Sequence, residues 1–115
     1  MNIRTEEWQS WSIASVEGRF GVRFVAEFRK TLEDLSERPF PKIALDLSKA
    51  AHLDSSALNV ILIFQLRLKK KSGCVVLFGA NEDNMNIIKT IGVDSVVPIY
   101  NTRLDFERNV AAKQV

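Results

Sequence analysis

The sequence is poor in several features that small proteins often rely on. It has a single cysteine, Cys74. No internal disulfide can form, which fits a reducing compartment. It has a single histidine, His52, and one His with one Cys cannot build the usual zinc site. No apolar run exceeds five residues, as in Val60 to Phe64, whereas a membrane-spanning helix needs about 20. Charge of one sign is not in excess either: 16 Lys and Arg against 14 Asp and Glu leave a net +2. That total supplies no clustered basic face for direct nucleic-acid binding. The N-terminal stretch MNIRTEEWQSWS holds two acidic residues and no apolar core, so it does not read as a signal peptide. The expectation is a cytoplasmic protein without membrane insertion.

What is present is an ordinary globular mix, 46% hydrophobic and 26% charged over 115 residues. One hydrophobic core commonly serves about 100–150 residues, so residues 1–115 are expected to form one domain. No repeat, low-complexity tract or linker interrupts them.

Periodicity divides the chain. Trp8, Trp11, Ile13 and Val16 alternate with polar residues and predict one or two strands ending near Glu17-Gly18. Val22, Val25, Phe28, Leu32 and Leu35 recur at helical spacing, predicting an amphipathic helix over 22–37 that stops before Pro39. Lys42 to Leu47 reads as a strand, and Ser48-Lys49 as a polar break after it. Ala57 to Lys71 is too long for a strand and predicts a helix, closed by Gly73 in a post-helical position. Cys74 to Phe78 reads as a buried central strand with Cys74 packed in the core. Asn81 can cap a helix over 82–90, with Met85, Ile88 and Ile91 as its apolar side and Gly92 at its end. Val96 to Tyr100 predicts an edge strand because of Pro98. Thr102 can cap a last helix to about Ala112, with Leu104, Phe106 and Val110 apolar. Alternation of this kind predicts an α/β fold with a largely parallel sheet.

Catalysis finds little support. His52, Asp54 and Ser55 are the residue types of a hydrolytic triad, but neighbours in one short loop rarely form the hydrogen-bonded line a triad needs. The Gly-x-Ser-x-Gly elbow is missing. Gly18-Arg19-Phe20-Gly21 matches neither a phosphate loop nor a dinucleotide fingerprint. No catalytic residue, metal ligand or cofactor site is expected, and His52 reads as a strand-exit residue with an ordinary hydrogen bond.

The informative segment is Leu53-Asp54-Ser55-Ser56-Ala57-Leu58, where a strand turns into a helix. Asp54 or Ser55 can serve as a plain N-cap for the helix amides. The same geometry would also let a serine hydroxyl accept a phosphate without unfolding the helix, adding about −1.5 to −2 charge. Along that helix Ser56, Asn59, Ile63, Arg67 and Lys70 form a mostly polar stripe. Ile63 is either an unremarkable exposed apolar residue or the anchor of a docking face.

These segments resemble the STAS domain, found in anti-sigma factor antagonists and at the ends of sulfate transporters. The resemblance rests on Ile43 to Ser48, Leu53 to Leu58, the helix after it, Gly73 to Phe78, and Ile91 to Tyr100, in that order. It implies a mixed, mostly parallel sheet of four to five strands with an N-terminal hairpin and about four flanking helices. It also implies a partner switch without enzymatic activity. The partners would be an anti-sigma factor that is also a serine kinase of the histidine-kinase-like ATPase class, and a PP2C-type phosphatase. Carried onto this chain, the phosphoacceptor is Ser55, with Ser56 a second candidate. Asp54, Ser55, Ser56, Asn59, Leu62, Ile63 and Arg67 would meet the partner. Two positions depart from the family pattern: Ala57 stands where Gly is usual, and Gly21 where an Asp commonly sits near the phosphorylation site. An accessory transporter subunit or a ligand-sensing module is the alternative role the resemblance allows.

Overall fold

The computed structural model describes residues 2–19 and 22–113. In chain order these form β1 (Asn2–Trp8), β2 (Trp11–Arg19), α1 (Val22–Ser36), β3 (Lys42–His52), α2 (Ser55–Lys69), β4 (Cys74–Phe78), α3 (Glu82–Ile91), a 3-10 turn (Val93–Ser95), β5 (Ile99–Tyr100) and α4 (Arg103–Lys113). Phe20 and Gly21, the latter at the second departure from the family pattern, lie outside the described residues, as do the side chains of Val22 and Arg23.

The sheet order is β1-β2-β3-β4-β5. β1 and β2 form an antiparallel hairpin, and every other neighbouring pair is parallel. Side chains alternate across each strand, so each face of the sheet gathers its own core. On one face Val16, Ile43, Leu45, Leu47, Val75 and Leu77 pack against Phe28 and Leu32 of α1, Leu58, Ile61 and Phe64 of α2, and Ile88 of α3. On the other face Trp11, Ile13, Ala44, Val76 and Phe78 pack against Phe106 and Val110 of α4. Phe106 is the hub there: Phe78 stacks on it at 5.2 Å, and Trp11 meets it edge-on at 5.0 Å. Full burial of a side chain of this size contributes about 1.5–3 kcal/mol. Leu104, predicted as apolar facing, is instead exposed.

Five local expectations are corrected. First, β3 does not break at Ser48-Lys49 but runs on to His52. It does so because Lys49, Ala50 and His52 pair with Glu17, Gly18 and Arg19 of β2 past a register shift; ladder hydrogen bonds outweigh polar composition. Second, Val96 and Val97 are not in a strand. Val97 donates its amide to Val93 in the turn, and β5 is left with Ile99 and Tyr100 only. Third, Gly73 does follow α2, its amide donating to the Leu68 carbonyl at 2.7 Å, but the left-handed residue there is Ser72, at φ 59°. Glycine is required at 73 because a Cβ there would lie 2.1 Å from the carbonyl oxygen of Pro41. Gly92, by contrast, does close α3 at φ 89°. Fourth, Phe24 is a buried residue of α1, whereas Val25 is only partly covered. Fifth, Ile91 is exposed and Cys74 is only partly buried, at the margin of the α4-side core.

Candidate functional site

Leu53, fully buried, carries the chain from β3 towards α2. Asp54 then adopts extended backbone angles, φ −104° and ψ 173°, and becomes the N-cap. Its carboxylate accepts the Ala57 amide at 3.1 Å and the Ser56 hydroxyl at 2.5 Å. The amide is one of those that the first helical turn would otherwise leave without a partner, and the hydroxyl bond locks the carboxylate in place. Partial burial acts to raise the Asp54 pKa, but the Ser56 hydroxyl, the Ala57 and Ser56 amides and the nearby His52 together outweigh it. The carboxyl is held below its ordinary value. Ala57, at the first departure from the family pattern, is fully buried, so its methyl is accommodated.

This arrangement separates the two serines. Ser56 is tied to Asp54 and half-buried. Ser55 is exposed, and among the described residues its hydroxyl has no hydrogen-bond partner. It sits at the first residue of a 15-residue helix, where free amides and the helix dipole favour added negative charge. His52 ends β3 with its side chain exposed, and no side-chain hydrogen bond of the kind expected for it forms among the described residues.

The junction is clamped from behind by Asn84, a residue of α3 not singled out from the sequence. It is 1% exposed. Its Oδ1 accepts the Leu53 amide at 3.1 Å, and its Nδ2 donates to the Ala50 carbonyl at 3.0 Å. It thus satisfies two backbone groups where β3 ends and the ladder no longer can. The signal was available: Asn84 precedes Ile88 by one helical turn, on the inward face of α3. Gln65 plays a similar part lower down α2. It is 2% exposed, accepts the Val75 amide at 2.7 Å and donates to the Val96 carbonyl at 3.1 Å.

The predicted stripe on α2 is present. Asn59, Ile63 and Arg67 are all exposed, while Leu62 is half-covered by the main core. Ile63 is 45% exposed, and Leu66, not anticipated, is 61% exposed. Beside the stripe an open groove of about 440 Å³ is lined by Val25, Ala26, Arg29, Lys30 and Glu33 of α1 and by Ser56. A smaller hollow of about 120 Å³ continues it past Val60, Ile63, Phe64 and Arg67. Arg67 is positioned by the Phe64 ring at 5.1 Å and by Glu33 at 3.9 Å. The cations Arg29 and Lys30 on the α1 wall were invisible in the sequence because nothing local links residues 29–30 to residue 56. Among the described residues no cluster of His, Cys, Asp and Glu could hold a metal ion. Nor is any helix there long and apolar enough to cross a membrane.

The head of α2 thus presents an exposed serine hydroxyl close to an open groove between α1 and α2. Comparison with known proteins agrees at the level of the fold. An anti-sigma factor antagonist from Mycobacterium paratuberculosis superposes with a TM-score of 0.80, at 21% identity over 88% of this chain and 86% of its own. SpoIIAA, an anti-sigma factor antagonist in its unphosphorylated form, gives 0.78 at 13% identity, covering 96% and 97%. The Bacillus cell fate determinant SpoIIAA in the phosphorylated form gives 0.71 at 13% identity, covering 93% and 98%. No curated protein sequence matches. The family model for the STAS domain matches residues 2–105. With a mixed sheet, an N-terminal hairpin and an Asp-capped helix start all in place under a match of that length, the chain belongs to the STAS domain family.

Proposed function

We propose that the protein is a partner-switching regulator of the anti-sigma factor antagonist type. The face formed by the start of α2 and its Asn59-Ile63-Arg67 stripe docks on an anti-sigma factor that is also a serine kinase of the histidine-kinase-like ATPase class. Phosphorylation of Ser55 releases the partner, and a PP2C-type phosphatase restores binding. The observation that carries this reading is the exposed Ser55 hydroxyl at the first residue of α2, outside the cap formed by Asp54, Ser56 and Ala57. Phosphate at Ser55 leaves that cap intact. It adds about −1.5 to −2 charge next to the Asp54 carboxylate, at the head of the docking face. A phosphate on Ser56 would instead remove the donor of the 2.5 Å bond to Asp54 and open the cap.

The test is incubation of the protein with its cognate kinase and ATP, followed by mass mapping. Phosphate on Ser55 is expected; phosphate elsewhere, or none, refutes the role given to Ser55. Ser55→Asp should weaken kinase binding, and Ser55→Ala should give a complex that ATP no longer dissociates. Binding of Ser55→Asp as tight as that of the wild type overturns the switch.

A further inference from the structure

Among the described residues β1 leaves one long edge of the sheet open, while the opposite edge, β5, is two residues long. Trp8 pairs with Trp11 across the two-residue turn Gln9-Ser10. The closing pair of such a hairpin exchanges both of its hydrogen bonds. The alternation that follows turns the amides and carbonyls of Glu6, Arg4 and Asn2 towards β2. Those of Ile3, Thr5 and Glu7 face outwards, available to another strand.

Charged side chains normally protect such an edge from pairing. Here their order matters. We propose that β1 pairs antiparallel with the β1 of a second copy of this chain, about a two-fold axis at Thr5, joining the two sheets into one. In that register Thr5 faces Thr5, Ile3 faces Glu7, and Arg4 faces the Glu6 of the second copy on both sides of the axis. The outward-facing groups of Ile3, Thr5 and Glu7 are then the ones that bond. Arg4 and Glu6 form the closer, non-hydrogen-bonded pairs, with Cβ atoms about 4.5–5.5 Å apart. Slipping by one pair of residues either way places Arg4 against Arg4 or Glu6 against Glu6, so charge selects the Thr5 register. Arg4 is exposed and has no ion pair among the described residues. Glu6 is held by Arg103 at 2.6 Å, which fixes the carboxylate beside the edge. On the α1 side a hollow of about 300 Å³, lined by Ile3, Thr5, Glu27, Thr31, Asp34 and Leu35, leaves room for side chains of the incoming strand. The contact is isologous and closes as a dimer. β2 separates β1 from β3 and the α2 start, so the dimer carries two docking faces.

The test is sedimentation equilibrium of the full chain over a range of concentrations up to millimolar, with circular dichroism to verify folding. The wild type should show a monomer–dimer equilibrium. Thr5→Pro removes an outward amide that the β1–β2 ladder does not use, so the fold should persist while dimerisation is lost. Arg4→Glu should raise the dimer Kd about tenfold or more, and adding Glu6→Arg should restore it. A wild type that is monomeric throughout, or dimerisation unchanged by both Thr5→Pro and Arg4→Glu, overturns the proposal.

Discussion

The Ser56 hydroxyl donates to Asp54 Oδ1 at 2.5 Å, while the neighbouring Ser55 hydroxyl stands outside the cap. Two adjacent serines of the same chemistry are thereby given different work. Ser56→Ala should cost about 0.5–1.5 kcal/mol of stability, the range of a net intramolecular hydrogen bond. Ser55→Ala should stay within about 0.5 kcal/mol of the wild type, as exposed substitutions do. Urea denaturation of the two variants side by side measures this, and a larger loss for Ser55→Ala contradicts the assignment.

The Asp54 carboxyl also sets a pH dependence. Its pKa is lower folded than its ordinary value of 3.8. The unfolded chain therefore binds the proton more readily, and the stabilisation is present above 3.8 and lost as pH falls through the folded value below it. Asp54→Asn keeps a good N-cap but cannot titrate. Denaturation midpoints taken from neutral to acidic pH should fall less steeply for Asp54→Asn than for the wild type. Parallel curves would show that Asp54 does not contribute.

Asn84 makes the junction vulnerable from a distance. Asn84→Leu leaves the Leu53 amide and the Ala50 carbonyl buried without partners. The expected loss is about 2–6 kcal/mol, since each of the two groups costs about 1–3 kcal/mol. Hydrogen exchange at the Leu53 amide should accelerate in parallel. Exchange at wild-type rates would mean that another group takes over the bond.

The two glycines that follow helices should respond differently to alanine. Gly73→Ala places a methyl against the Pro41 carbonyl and forces backbone to move, for a cost of about 1–3 kcal/mol or more. Gly92→Ala meets nothing within 4 Å but must hold φ 89°, a left-handed strain of about 1–2 kcal/mol. Calorimetric midpoints measure both, and a Gly73→Ala midpoint equal to that of the wild type would refute the close approach.

Docking through α2 predicts that Ile63→Asp weakens kinase binding by about tenfold or more, the effect of removing an apolar anchor. Because Ile63 is 45% exposed, folding should be little affected. Titration calorimetry against the kinase reads the change, and unchanged affinity would place the interface elsewhere.

Most of the elements follow from short-range patterns in the chain. Helical spacing in α1, the Asn81 and Gly92 ends of α3 and the apolar run of β4 are local signals, and local chain stereochemistry answers them. The Asp54-Ser55-Ser56 helix start was legible for the same reason, since an N-cap satisfies amides only two or three residues away. Features that depend on distant partners emerge only on folding. Ser48 to His52 stay in β3 because β2 lies alongside them. Gly73 is obligatory because Pro41 passes over it. Asn84 becomes a clamp only when α3 packs behind the end of β3. Arg29 and Lys30 face Ser56 only when α1 and α2 lie side by side. Backbone hydrogen bonds and close contacts between segments tens of residues apart leave no periodic trace in the chain, so only folding reveals them.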